Sequence, residues 1–405
     1  MVLCMKLLFG PATALFLSAV ILLSCFTNLF PYLNYYKSPA PGYLSPEPVP
    51  KCDIYRGEWV PDPGLPDYTN ETCSYIQDHQ NCMFYGRPDL EFLKWRWKPD
   101  GCDLPRFDPH KFLQVVSNKT LAFVGDSLAR NHYQSLLCLL SKAHVSDFVH
   151  GWQVALPKDM TEPGKPHDKN KIMYYAGYNF TIYILWSPFL IRAEEMTDKP
   201  GVFRLHLDEP DAWLLSLPRF DYLLLSGANW FTRQAYFYER GQLVGGLYVP
   251  LNITTNLTTN FYPHRMAFRT SLRALNGLGF RGKVIVRTLS PMSHFEGGPY
   301  NAGGDCKRQR PYFANETVEL NDLEQGFYRE QVEEFREAEK EAAARGIDMV
   351  LMDPTAAMLK RPDGHPSRYG HWPNEKRSMY NDCIHWCLPG PIDAWNDMLL
   401  HILSH

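Results

Sequence analysis

From Leu7 to Tyr36 no residue carries a charge, and Ala12 to Phe30 is almost continuously apolar. In hydrocarbon such a stretch has one backbone solution, a helix that bonds each N–H and C=O within the segment. It is long enough to cross an apolar layer of about 30 Å. A cleaved signal peptide is the competing reading, since Ser24 and Cys25 are small residues in a suitable place. Against it, the apolar run exceeds the usual length of such segments, and no A-x-A-like site precedes the body of the chain. The reading adopted is an uncleaved transmembrane anchor over 7–36 behind a cytosolic tail, 1–6. Lys6 and Lys37 alone flank it, so charge asymmetry says little about orientation.

Orientation comes from the rest of the chain. Six N-x-S/T sequons stand at Asn70, Asn118, Asn179, Asn252, Asn256 and Asn315, against about two expected by chance. Glycan addition at such sites is lumenal, so the body is expected in the secretory lumen. Of ten cysteines, Cys4 and Cys25 fall in or before the anchor. The other eight, Cys52, Cys73, Cys82, Cys102, Cys138, Cys306, Cys383 and Cys387, read as disulfides in an oxidising compartment. Eight cysteines permit on the order of a hundred pairings, so spacing leaves the connectivity open. Cys383, His385 and Cys387 make a poor metal set where thiols are bridged, and no metal is expected.

Five prolines, Pro39, Pro41, Pro46, Pro48 and Pro50, mark 37–51 as a stiff stem. Residues 52–118 are Cys- and Pro-rich, carry Trp59, Trp95 and Trp97, and read as loops stapled by disulfides. The balance of 41 Lys+Arg against 44 Asp+Glu gives a net charge of −3, which argues against a nucleic-acid partner. Aromatic residues make up 14% of the chain, enough for a surface that grips flat, weakly polar partners or for a core rich in Tyr and Phe.

Beyond 118 the pattern changes. Thr120–Val124, Phe180–Leu185, Tyr222–Ser226, Lys283–Arg287 and Ile347–Met352 are short apolar runs bounded by turn residues, the signature of buried strands. Helical patterns lie between several of them, at Leu128–Leu140, His264–Leu275 and Asp322–Arg345, the last ended by Gly346. Alternating strands and helices predict an α/β domain over 119–405 with a mainly parallel sheet. Gly151–Gly177, Ala193–Leu217 and Ala235–Tyr262 read as irregular insertions that assemble with 52–118 into a smaller lobe.

The sharpest local feature is Gly125-Asp126-Ser127-Leu128-Ala129-Arg130-Asn131. A strand ends, a glycine turns the chain, and a serine stands where a helix begins. The free N–H groups of a helix start can meet a developing oxyanion there. An ordinary helix cap at Asp126 or Ser127 explains the tripeptide equally well. Near the other end stand Asp382 and His385, three residues apart and flanked by Cys383 and Cys387. A serine nucleophile needs a base, and the base needs a group to orient it. Asp382 can hold Nδ1 of His385 while Nε2 faces Ser127.

Gly-Asp-Ser-Leu early and Asp-x-x-His late resemble the GDSL/SGNH esterase superfamily. Three further features narrow this: the Cys-rich N-terminal region, Arg287-Thr-Leu-Ser-Pro-Met-Ser-His294-Phe-Glu-Gly297, and Asp382-Cys-Ile-His-Trp-Cys-Leu-Pro-Gly-Pro391. With Gly-Asp-Ser-Leu-Ala-Arg-Asn they are similar to the plant trichome birefringence-like family, from about Cys52 to the C-terminus. The resemblance implies an SGNH-like three-layer sandwich in a type II protein of the Golgi membrane. It implies Ser127 as nucleophile, His385 as base and Asp382 as its orienter, and disulfides Cys52–Cys102, Cys73–Cys138, Cys82–Cys387 and Cys306–Cys383. Where the superfamily has Gly-x-Asn-Asp, this chain has Gly227-Ala228-Asn229-Trp230. Asn229 is then an oxyanion donor without its acidic neighbour. Gly125, Arg130 and Trp230 are further candidates for oxyanion or substrate contact, and Trp230, Tyr300 and Trp372 for sugar stacking.

The implied activity is O-acetylation of a plant cell-wall polysaccharide through an acetyl-serine. Arg287–Gly297 and Gly303-Gly304-Asp305-Cys306 resemble the xyloglucan branch more than the xylan branch. No bound cofactor is expected. An acetyl donor is required, with acetyl-CoA as one source and a membrane protein as its supplier. A xylan or other wall-glycan acetyltransferase, a lumenal carbohydrate acetylesterase and a glycan-binding scaffold are the alternatives.

Overall fold

The computed structural model describes residues 52–64, 66–142, 151–154 (backbone only), 170–292, 294–376 and 380–405. The expected tail, anchor and stem lie outside these residues. Among the described residues no helix is long and apolar enough to cross a membrane.

In chain order the strands are β1 (Gly57–Pro61), β2 (Trp95–Pro99), β3 (Thr120–Gly125), β4 (Gly151–Val154), β5 (Lys171–Tyr175), β6 (Phe180–Trp186) and β7 (Ile191–Glu195). They continue with β8 (Phe203–Pro210), β9 (Tyr222–Ser226), β10 (Ala235–Glu239), β11 (Gln242–Leu247), β12 (Lys283–Arg287) and β13 (Asp348–Met352). The α-helices are α1 (Pro109–Val115), α2 (Ser127–Leu140), α3 (Phe261–Leu278), α4 (Asp322–Ala343), α5 (Thr355–Leu359) and α6 (Ala394–Ser404).

A seven-stranded sheet in the order β13-β12-β9-β3-β6-β5-β4 forms the centre. Its β13, β12, β9, β3 and β6 run parallel. At one end β5 and β4 add antiparallel. Side chains alternate between faces, as the strand period demands. Leu121, Phe123, Leu224 and Ile285 face a core shared with α2, α6 and the N-terminal region. Ala122, Val124, Leu223, Leu225, Val284 and Val286 face the opposite core, built with Phe268 and Leu272 of α3 and Phe335 of α4. Both faces are covered, so the strands read as near-continuous apolar runs. The result is a three-layer α/β sandwich.

Two expectations need correction. Ala193–Leu217 and Ala235–Tyr262 are not irregular: β7, β8, β10 and β11 make a four-stranded sheet in the order β11-β10-β8-β7. Its buried side holds Phe203, Leu205 and Phe237 against Phe231, Ala267 of α3 and Phe327 of α4. Within Gly151–Gly177, β4 and β5 extend the central sheet. Nor do these segments join 52–118 in a separate lobe, because residues 52–405 form one compact unit. The hairpin of β1 and β2 puts Trp59 and Trp97 into the same core as Leu136, Leu137 and Trp395. Burying two indoles is worth several times a single methylene and needs a large apolar partner, which α2 and α6 supply.

Four disulfides join Cys52–Cys102, Cys73–Cys138, Cys82–Cys387 and Cys306–Cys383, with Cα atoms 5.3–5.8 Å apart. Cys82–Cys387 closes 305 residues and ties the N-terminal region to the last loop before α6.

Candidate active site

Parallel β3 and β9 pair Gly125 with Ser226 at their C-terminal ends. A Cβ on Gly125 would lie 2.0 Å from the Ser226 carbonyl oxygen, and the residue sits at φ +155°. Only glycine lets the two strands stay paired to this point and the chain turn immediately afterwards. Asp126 is the N-cap of α2, and its carboxylate accepts from the Leu128 N–H at 2.9 Å. The Ala228 N–H, from the loop after β9, also donates to it. Burial pushes the Asp126 carboxyl upward, and the buried Arg287 guanidinium opposes that push. Ser127 thus opens α2 directly after a buried, N-capping carboxylate.

The loop before α6 brings the candidate base, His385. Ser127 Oγ lies 2.7 Å from His385 Nε2, and His385 Nδ1 lies 2.7 Å from Asp382 Oδ2. The second carboxylate oxygen accepts from the backbone N–H groups of Ile384 and His385, each at 3.0 Å. Carboxylates only accept, so Nδ1 carries the proton and Nε2 is free to take one from the serine. Burial alone would raise the Asp382 pKa; the charge and hydrogen bond of His385 outweigh it and hold the carboxyl well below its usual range. Burial likewise lowers His385, but Asp382's charge and hydrogen bond prevail and raise it above its ordinary 6.5.

Several residues without a sequence-based role hold this arrangement. Asn131 lies one turn after Ser127 on α2. Its Oδ1 accepts from the Trp386 N–H at 2.8 Å, and its Nδ2 donates to the Trp386 carbonyl at 3.3 Å. The helix carrying the serine is therefore clamped to the residue after the histidine. The i, i+4 spacing puts Ser127 and Asn131 on one helix face, which is the signal that could have flagged it. The His79 ring meets His385 edge-on at 4.9 Å. His365, near the same loop, donates from Nδ1 to the His385 carbonyl at 2.7 Å.

The remaining candidates divide. Asn229 opens a short 3-10 turn after β9. Both polar atoms of its side chain are buried with no hydrogen-bond partner among the described residues. Because the neighbouring Ala228 N–H reaches Asp126, the Asn229 segment adjoins the turn that carries Ser127. An orphaned buried amide costs free energy and suits a group that meets its partner only in the reacting complex. The Arg130 guanidinium lies 5.0 Å from the Trp186 ring and close enough to His385 to disfavour its charge. Trp230 is packed among Trp186, Phe189 and Phe203, with Arg233 over its face. Tyr300 is 54% exposed, and 46%-exposed Trp372 clusters with Phe84 and Tyr85. Asn70 is half-buried, and the other five sequon asparagines are exposed. Cys383 and Cys387 are disulfide-bonded. Asp305 with Cys306 and Cys383 is the one grouping of ligand-type side chains among the described residues, and its two sulfurs are bonded to each other.

Residues 104–402 match the family model of the GDSL/SGNH-like acyl-esterases found in Pmr5 and Cas1p, and residues 50–103 match the PMR5 N-terminal domain. Protein trichome birefringence-like 19 of Arabidopsis thaliana is 47% identical over 361 residues, 87% of this chain and 81% of its own length. Xyloglucan O-acetyltransferase 2 of the same plant is 38% identical over 405 residues, 97% and 93% of the two chains. Xyloglucan O-acetyltransferase 4 of Populus trichocarpa is 43% identical over 360 residues, 87% and 81%. Matches of this extent, to both family models in order and to these relatives over most of their length, make the chain a member of the trichome birefringence-like branch of the GDSL/SGNH-like acyl-esterase family.

Proposed function

We propose that this protein is an O-acetyltransferase acting on a plant cell-wall polysaccharide, with the acetyl group carried as an ester on Ser127. The observation behind this is the continuous hydrogen-bonded series Asp382, His385, Ser127, with both ring contacts at 2.7 Å. In the first half-reaction Ser127 Oγ attacks the acetyl carbonyl carbon of the donor while His385 Nε2 takes the hydroxyl proton. The carbonyl electron pair moves onto oxygen, beside the N–H groups at the start of α2 and the Asn229 amide. Collapse expels the donor's leaving group, which takes the proton from Nε2. In the second half a sugar hydroxyl gives its proton to Nε2 and attacks the acetyl-serine carbon. Collapse returns the proton to Ser127 and releases the acetylated glycan. Water competes in this half, and positioning of the sugar decides the outcome.

Xyloglucan is the acceptor we favour, on the names of the relatives above. Trp372, with Phe84 and Tyr85, offers exposed aromatic faces for its pyranose rings. The exposed sequons and four disulfides support a lumenal site, which fits a Golgi type II protein anchored by 7–36. An acetyl donor derived from acetyl-CoA and supplied by a membrane partner fits that location. The matched model is one of acyl-esterases, which favours a second reading with water as acceptor. Acetyl transfer by the full-length chain to xyloglucan oligosaccharides tests the proposal. Ser127→Ala is expected to lower the rate by a factor on the order of 10³ or more, and a near-normal rate would overturn the nucleophile. Acetate release that is unaffected by added oligosaccharide would favour the esterase.

A further inference from the structure

Behind the base lie two buried histidines that the reaction above does not use. His365 Nδ1 is 2.7 Å from the His385 carbonyl oxygen. Its Nε2 is 2.6 Å from Nδ1 of His294, and Nε2 of His294 is 3.0 Å from the Leu359 carbonyl oxygen. His365 is 1% exposed and His294 6%, so water does not supply these contacts.

A carbonyl oxygen only accepts, so Nδ1 of His365 and Nε2 of His294 must each bear a proton. The remaining two ring nitrogens face each other at 2.6 Å. At that separation they repel unless a proton lies between them. Three hydrogen bonds need three protons, whereas two neutral imidazoles carry two. The pair satisfies every contact only with one extra proton and one positive charge. Two neighbours favour that charge, the Asp382 carboxylate and a stacked indole. The Trp386 indole stacks on His365 with centroids 4.1 Å apart and planes at 23°, an arrangement that attracts a cation.

We propose that His294 and His365 hold one shared proton and act as a positioning pair, fixing the backbone of His385 so that its ring spans Asp382 and Ser127. The pair is a fixed cationic clip: His365 grips the base's carbonyl, and His294 ties it to the end of α5. The catalytic role of His385 is taken from the proposed function, but the proton count is independent of it.

The groups facing the pair set its pH range. From the loop before α6, the Asp382 charge favours the proton and His385 disfavours it. Arg87 of the N-terminal region donates to the His365 carbonyl at 2.8 Å and pairs with Asp89. Asp363 is bound by Arg361. Asp305, Lys307, Arg308 and Arg368 border a cavity of about 260 Å³ that His365 also lines. On the other side His294 meets the Leu359 carbonyl and, edge-on at 6.3 Å, the Trp386 indole. Burial pushes both rings toward their neutral forms. The hydrogen-bond count and the stacked indole act against it. As pH rises the shared proton leaves, the middle contact turns repulsive, and His365 is pushed out of the position from which its Nδ1–H holds the His385 carbonyl.

The test uses the full-length chain with isotopically labelled histidine. Nitrogen and proton spectra from about pH 5 to about pH 9 are expected to show three ring N–H groups on this pair. One of them is a strongly low-field proton coupled to two nitrogens, lost on the alkaline side together with kcat. In His294→Asn the side-chain amide donates to His365 without an extra proton. That variant is expected to lose the low-field signal and the alkaline fall in rate while keeping kcat near neutral pH. His294→Leu leaves His365 Nε2 without a donor and is expected to lower kcat about tenfold with KM little changed. One N–H per ring at every pH would overturn the shared proton even if no transferase activity is found. A His294→Leu enzyme with unaltered kcat and pH profile would overturn the positioning role.

Discussion

At the scale of single residues, the site rests on opposed electrostatic influences. In the proposed reaction His385 acts as base only when neutral, and Asp382 outweighs burial to raise its pKa above 6.5. The rate of acetyl-serine formation is therefore expected to fall as pH drops through that raised value, since the imidazole then binds a proton before the serine can give one. A kcat/KM profile without an acidic limb above about 6.5 would contradict the coupling to Asp382. Asn229 permits a sharper test, because its amide is buried without a hydrogen-bond partner among the described residues. Asn229→Ala is expected to lower kcat by a factor of about 10². Its thermal midpoint should hold or rise, because an unsatisfied polar group has been removed. A purely structural asparagine would instead lose stability on truncation. Asn229 was visible in the sequence as the retained asparagine of a block whose acidic neighbour is replaced by Trp230, and its lack of a partner among the described residues is visible only in the folded chain.

At the scale of elements, α2 does two jobs. Its first residue presents the hydroxyl, and Asn131 grips the Trp386 backbone from one turn further on. Asn131→Leu leaves a buried N–H and a buried C=O without partners, which is expected to cost roughly 2–4 kcal/mol. Urea unfolding would measure that loss, and kcat should fall with it because the loop carrying His385 is no longer tied to the serine's helix. The five apolar runs were legible because parallel strands covered on both faces show no alternation to confuse them with a surface strand. Tyr222–Ser226 and Lys283–Arg287 fall on their strands without a residue's shift. The second sheet was not read from sequence. In β8, Phe203, Leu205 and Leu207 alternate with Arg204, His206 and Asp208, a pattern that is present but short. Its parallel neighbour β10 comes from a separate segment of the chain.

At the scale of the molecule, two disulfides converge on the loop that carries Asp382 and His385. Cys306–Cys383 and Cys82–Cys387 flank His385 on either side, whereas Cys52–Cys102 staples the β1–β2 region. Replacing Cys82 and Cys387 together by serine is expected to cost about 2–5 kcal/mol and to depress kcat through a looser base. The same double replacement at Cys52 and Cys102 should lower stability while largely sparing kcat. Thermal unfolding alongside turnover separates the two cases; equal losses of kcat would deny the loop-specific effect. Residues 52–118 were expected to join a smaller lobe, yet they belong to the main core. Trp59 and Trp97 carry too much apolar surface to be left on a separate, loop-built region.

The chemistry of individual residue types and the periodicity of apolar runs are local properties, and both are written in the sequence. They were enough to mark the central strands, the serine at a helix start, the Asp-x-x-His pair and eight cysteines read as disulfide-bonded. What separates Ser127 from His385 is 258 positions of chain, and no local rule says whether such residues meet. That is decided by sheet order, by the pairing of β3 with β9, and by cross-links spanning most of the polypeptide. The same holds for the Asn131 clamp and the histidine pair behind the base. Each depends on long-range contacts, and long-range contacts follow from how the whole chain buries its apolar surface.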